Sequence, residues 1–142
     1  MTETTTTIVT LIPGDAASFS KTITEADVVL FAGVTGDMNP VHIDEVAARE
    51  TIFKGRIVHG MLPASLISTV LGTLLPGPGT IYLSQSLNFR RPVRIGDTVK
   101  AVVTVKSVDG ELPTCTLDTI VTNQEGKVVV EGEARVQLPG PG

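Results

Sequence analysis

Between Ile57 and Leu75 the chain reads I-V-H-G-M-L-P-A-S-L-I-S-T-V-L-G-T-L-L, with apolar side chains at Met61, Leu62, Leu66, Ile67, Val70, Leu71, Leu74 and Leu75. On a helix these positions fall on every side, and such a helix is either buried on most sides or spans a membrane. Ser65, Ser68, Thr69 and Thr73 interrupt the run, which falls short of the roughly 20 apolar residues a bilayer requires. The stretch therefore predicts a core helix that the rest of the chain wraps. It ends at Pro76-Gly77-Pro78-Gly79 and begins at His59-Gly60. A helix start presents free backbone N–H groups with partial positive charge, suited to an anionic or polarised oxygen.

The flanking sequence supplies the wrapping. Ile8–Ile12 and Phe19–Ile23 read as short strands, separated by the turn signal Pro13-Gly14-Asp15. Thr24 reads as an N-cap, with Glu25 and Asp27 in the first turn of a helix running through Phe31 and Ala32. The helical signal fails from Gly33 to Pro40, which predicts a shaped loop carrying Asp37, Asn39 and His42. Asp44 is a second N-cap candidate, for a short helix reaching Glu50, and Phe53–Arg56 connects to the central helix.

Beyond Gly79 the hydrophobic period changes to two. Ile81, Leu83, Leu87 and Phe89 alternate with polar neighbours, with Gln85 breaking the apolar side once. After a turn at Pro92 and Gly96-Asp97, Val99 to Val105 alternate and end at Asp109-Gly110. Cys115 to Val121 follow, then a hairpin turn at Asn123–Gly126, then Val128 to Val136. Four long antiparallel strands around one apolar helix make an α+β fold. Its two sheet edges are most simply covered by pairing two copies edge to edge. No repeat or linker divides residues 1–142, so one domain is expected, with loose tails at about 1–7 and 139–142.

Composition narrows the function. With 42% hydrophobic and 18% charged residues the chain is globular in type. A net charge of −4 with interspersed signs disfavours a nucleic-acid partner. Cys115 is the only cysteine, so no internal disulfide forms and a reducing compartment is expected. The Thr-rich start lacks a basic segment followed by an apolar one, so no secretory signal is read and a cytoplasmic protein without a membrane partner is expected.

The chemistry-bearing residues cluster ahead of the central helix. His42 stands five residues after Asp37, and His42 and His59 are the only two histidines. A loop shaped by glycine and proline can turn the acid and the imidazole toward one water, giving a proton-transfer pair suited to neutral pH. The spacing alone equally allows Asp37 to cap the loop and His42 to be structural. Cys115 has no histidine near it in sequence and reads as core. No metal-ligand spacing and no glycine-rich phosphate loop is present, so neither metal nor cofactor is expected. Arg90, Arg91 and Arg94 form the one basic cluster, readable as a solvated strand end or as a contact for phosphates or an acidic carrier protein.

The run Phe31-Ala32-Gly33-Val34-Thr35-Gly36-Asp37-Met38-Asn39-Pro40-Val41-His42-Ile43-Asp44, followed by Ile57-Val58-His59-Gly60-Met61, resembles the MaoC-like (R)-specific enoyl-CoA hydratases. That family's motif (aromatic, A, x, x, S/T, G/E, D, x, N, P, aliphatic, H, x, D) is matched at every position, and the resemblance runs from about residue 15 to 138. It implies a hot-dog fold, an antiparallel sheet wrapped around a long central helix. It also implies reversible syn hydration of a trans-2-enoyl thioester to the (R)-3-hydroxyacyl thioester, carried on CoA or acyl-carrier protein. Asp37 and His42 would activate one water, and the Gly60 N–H would stabilise the thioester oxygen. Ser68 and Leu71, at i and i+3, fall where the family lines its acyl pocket, though both also read as core. Asn39 either orients the loop or water, or forms an Asx-turn before Pro40. His59 and Asp44 read more simply as structural. Arg90 and Arg91 are candidates for the CoA phosphates, and the expected assembly is a homodimer, further doubling left open. The rival functions are a 3-hydroxyacyl-carrier-protein dehydratase, a thioesterase and a non-catalytic acyl-thioester-binding subunit.

Overall fold

The elements run β1 (Ala16–Thr22), α1 (Glu25–Thr35), α2 (Pro40–Ile43), α3 (Glu45–Arg49), α4 (Met61–Thr73), β2 (Ile81–Gln85), β3 (Asn88–Phe89), β4 (Thr98–Asp109), β5 (Thr114–Thr122) and β6 (Val128–Gln137). The computed structural model describes residues 10–109 and 113–140. The strands form one six-stranded sheet in the order β1-β4-β5-β6-β2, with β3 also on β6, and every pairing is antiparallel. The expected α+β plan is what forms.

α4 lies on one face of this sheet, against β4 above all, with β1 and β5 beside it. Leu62, Leu66, Ile67, Val70 and Leu71 meet Val99, Ala101, Val103, Leu117, Val121 and Val136 in a single apolar cluster. Alternation along β4 and β5 puts one side of each strand into that cluster and the other outward. Cys115 is buried within it, as expected. The helix is not covered all round. Met61, Ser65, Ser68 and Gly72 recur every three to four residues and stay exposed on one face.

Several local expectations are corrected. No strand forms over Thr10–Ile12, and Ile8 and Val9 lie outside the described residues. The Pro13-Gly14 turn closes on Asp15, whose carboxylate accepts the Ile12 N–H, and contact with β4 begins at the turn itself, where Gly14 N–H donates to the Val105 carbonyl. α1 continues three residues beyond Ala32, to Thr35. Its end is set by Gly36 at φ 81°, a left-handed conformation that glycine adopts without a side-chain penalty, with its N–H donating to the Ala32 carbonyl. Pro40 begins a helix instead of preventing one, because the first helical position needs no N–H donor. Thr24 forms the predicted cap, as a capping box with Asp27, and Asp44 caps α3 through the Ala47 N–H.

The single strand expected over 81–89 is two, β2 and β3, interrupted at Ser86 and Leu87. Gln85 turns its amide to the buried Thr119 hydroxyl and to the Ser86 carbonyl. It also accepts a hydrogen bond from the phenol of Tyr82, whose pKa burial pushes up to about 12. Pro139, expected in a loose tail, lies beside Gly79, where an added Cβ would come within 3.2 Å of its ring. Gly110, within the turn expected after β4, and residues 1–7 lie outside the described residues. Among the described residues no helix is long and apolar enough to cross a membrane.

Candidate active site

The site is built where α1, α2 and the start of α4 meet. Gly36 turns the chain sharply after α1, and Asp37 follows with its N–H on the Thr35 hydroxyl and one carboxylate oxygen accepting the Asn39 N–H at 3.2 Å. Asn39 then caps α2, its side-chain oxygen accepting the Val41 N–H. One turn of helix carries His42 inward, where it is 8% exposed. The segment before α4 is pinned on two sides, Ile57 N–H donating to Val41 and Val58 N–H to Val93.

That pinned segment decides the state of His42. Its Nδ1–H donates to the Ile57 carbonyl at 2.8 Å, so in the neutral ring Nε2 is the accepting nitrogen. His59 lies under the ring, 3.9 Å between centroids, and donates from Nε2 to the Asp37 carbonyl at 2.9 Å. Phe31 packs against His59 at 4.9 Å. Asp37, His42 and His59 each place one ligand-type atom within 4.8 Å of the others. A water making two hydrogen bonds of about 2.8 Å spans such a gap.

A carboxylate and two imidazoles are also a metal-binding composition. The stack works against that use. A bound ion lies in the plane of each imidazole, and rings stacked at 3.9 Å with 30° between their planes do not aim in-plane lone pairs at one point. The arrangement suits a held water better than a held ion.

Gly60 joins the open spaces around these residues. A cleft of about 330 Å3 lies on one side, lined by His42, Gly60, Phe89, Arg90 and Arg91. A second of about 430 Å3 lies on the other, lined by Asp37, His59, Gly60, Met61 and Ser65. Met61 and Ser65 in turn border a groove of about 850 Å3 between the open face of α4 and β2, where Ser68, Tyr82 and Leu83 stand. No side chain caps α4; Leu62 N–H donates to the His59 carbonyl and Pro63 has no N–H, which leaves the Gly60 and Met61 N–H groups as the donors at this helix start. The Phe89 ring closes over Gly60, where an added Cβ would stand 2.9 Å from it.

The residues singled out from sequence divide accordingly. Asp37, His42 and Gly60 converge, while Asn39 is occupied as a helix cap. Ser68 lines the groove, but Leu71 is 1% exposed and sits in the core. The two stand about 60° apart around the helix, and the boundary of the sheet's cover falls between them, burying Leu71 and leaving Ser68 at the open edge. Arg90 pairs with Glu131 at 2.7 Å, and Arg91 donates to the Val128 carbonyl at the mouth of the first cleft. Arg94 leaves that cluster, donating to the Phe53 and Arg56 carbonyls and bracing the connector. Sequence reading missed Arg56. Its Nε donates to the His42 carbonyl at 2.7 Å, and its two terminal nitrogens donate to the two carboxylate oxygens of Glu25. Partners 14 and 31 residues away leave no spacing signal in a sequence.

One buried helix wrapped by an antiparallel sheet defines a hot-dog protein, here with a carboxylate and an imidazole gathered at the helix start. The chain belongs to the MaoC-like family, residues 11–127 matching the MaoC like domain. It is 56% identical over 129 residues to the (R)-specific enoyl-CoA hydratase of Rhodospirillum rubrum, covering 91% of this chain and 89% of that protein. The mitochondrial 3-hydroxyacyl-[acyl-carrier-protein] dehydratase of Arabidopsis thaliana is 33% identical, over 89% of this chain and 76% of that one. Among solved structures, the (R)-hydratase from Aeromonas caviae involved in PHA biosynthesis superposes with a TM-score of 0.88 at 47% identity, covering 91% of this chain and 98% of that one.

Proposed function

We infer that this protein is an (R)-specific enoyl-CoA hydratase, adding water syn to a trans-2-enoyl thioester and running equally in reverse. The observation that carries the reading is the placement of the Asp37 carboxylate and the His42 imidazole beside the uncapped start of α4. The kinship to hydratases above supports it. One water donates its two hydrogens to the Asp37 carboxylate and His42 Nε2. Its oxygen adds to C3 while a proton passes to this pair, and the pair returns a proton to C2 on the same face. Syn addition follows because both groups come from one side. Negative charge gathers on the thioester oxygen, and the Gly60 N–H at the positive end of α4 stabilises it.

The three connected spaces accommodate the rest of the substrate. The acyl chain runs past Ser65 into the groove at Ser68, and the CoA phosphates lie toward Arg91. Arg90 has Glu131 as a partner already, so Arg91 is the stronger phosphate contact. Replacing Arg91 with alanine is expected to raise KM for crotonyl-CoA roughly tenfold, as expected for one charge-assisted hydrogen bond, with kcat nearly unchanged. Crotonyl-pantetheine, which lacks the phosphates, should be indifferent to the change. An equal loss on both substrates would remove Arg91 from phosphate binding.

A homodimer formed along the open edge of β2 completes the proposal. Ile81, Tyr82 and Leu83 are between 41% and 51% exposed there, an apolar edge strand that pairing would cover and that would wall the acyl groove. A cytoplasmic location completes the reading, in line with a single cysteine that is buried and unpaired.

Crotonyl-CoA tests the function directly. Purified protein should deplete the conjugated enoyl absorbance, give the (R)-3-hydroxy product and release no free thiol. Thiol release at a comparable rate would show a thioesterase instead. Activity on the acyl-carrier-protein thioester far above that on CoA would favour the dehydratase of fatty-acid synthesis.

A further inference from the structure

The reaction above gives His59 no step, yet its surroundings are specific. The side chain is 2% exposed and directly precedes Gly60. Nε2–H holds the Asp37 carbonyl at 2.9 Å, and the ring lies against His42 and Phe31. Among the described residues nothing partners its Nδ1. A buried nitrogen without a partner costs stability, and a phenylalanine would fill the same flat space without that cost. What the imidazole adds is a donor on one edge combined with a flat face.

Both additions act on the catalytic pair. The Asp37 carboxylate is exposed and tethered on one side, by the Asn39 N–H at 3.2 Å. Holding the Asp37 carbonyl stops the following peptide from rotating and carrying the carboxylate away. Among the described residues the His42 ring makes one hydrogen bond, from Nδ1 to the Ile57 carbonyl. A single bond fixes a point but not a plane, and the His59 face 3.9 Å away supplies the second constraint. We propose that His59 is the positioning residue of the catalytic pair, fixing the Asp37 main chain through Nε2–H and the plane of the His42 imidazole by stacking. The proposal rests on the assignment of Asp37 and His42 as that pair.

Steady-state kinetics with crotonyl-CoA on His59→Phe and His59→Gln test it, with Asp37→Asn measured alongside. Phenylalanine keeps the stack and removes the donor. Glutamine restores an N–H at about the position of Nε2. The phenylalanine variant should lose about 10- to 100-fold in kcat, the scale of a misplaced reacting group, with KM within about threefold of wild type. The glutamine variant, which keeps the donor and gives up the ring face, should recover only part of that loss. If the phenylalanine variant does not fold, His59→Met set against His59→Gln makes the same comparison. Wild-type kcat in both the phenylalanine and the glutamine variant overturns the positioning role while an inactive Asp37→Asn leaves the pair intact. An active Asp37→Asn instead overturns the pair itself.

Discussion

Asp37→Asn is expected to reduce kcat/KM for crotonyl-CoA by about 10²- to 10⁴-fold, the range for loss of a positioned acid or base, while the fold stays intact. The substitution is nearly isosteric. The Asn39 N–H donates to a side-chain oxygen that asparagine retains, and Asp37 is exposed, so little stability depends on its charge. What asparagine cannot do is take or return a proton. His42→Ala should reduce activity as far, but with a measurable loss of stability. The ring is 8% exposed, donates to Ile57 and stacks on His59, and leaving that carbonyl unpaired costs about 1–3 kcal/mol. Activity and melting temperature measured on both variants separate the roles. Near-wild-type turnover in either one would remove it from the catalytic pair, and a collapse of stability in Asp37→Asn would make Asp37 a loop cap.

The largest effect on stability is expected at Gly132, which no sequence motif marks. It lies in β6 opposite Thr119 of β5, where the chain between β2 and β3 crosses it. Ser86 N–H donates to the Glu133 carbonyl, and Glu133 N–H donates to the Ser86 hydroxyl, both at 2.9 Å. A Cβ on Gly132 would stand 1.8 Å from the Ser86 carbonyl oxygen. That oxygen is main chain, and moving it breaks the hydrogen bonds that hold the crossing. Gly132→Ala is therefore expected to cost about 3 kcal/mol or more and to lower Tm by roughly 10 °C. Because β2 walls the groove beside Ser68, binding of longer acyl chains should weaken as well. Gly33→Ala is the matched control. A Cβ there meets nothing within 4 Å, and the helix interior favours alanine over glycine by about 0.5–1 kcal/mol. Equal melting temperatures for the two variants would show that the Ser86 crossing yields easily.

By itself the sequence determined the elements whose signals are local. The apolar run from Met61 required a buried helix, period-two alternation required β4, β5 and β6, and Thr24 and Asp44 announced their helices through capping chemistry. The Asp37–His42 spacing was legible as a candidate pair, and the family motif sharpened it. Only the tertiary structure decided what depends on approach between distant residues. The tautomer of His42 is set by a carbonyl 15 residues away, and the bracing of α2 by Arg56 reaches Glu25, 31 residues away. Leu71 and Ser68 look equivalent on a helical wheel, but the sheet covers one and leaves the other open. Arg94 looks like a neighbour of Arg91, yet it turns inward to donate to the carbonyls of Phe53 and Arg56. Gly132 is required by a main chain that passes over it 46 positions earlier in sequence, at Ser86. Local propensity acts within a few residues, whereas orientation, tautomer and clearance are set by whichever distant atoms the fold brings alongside.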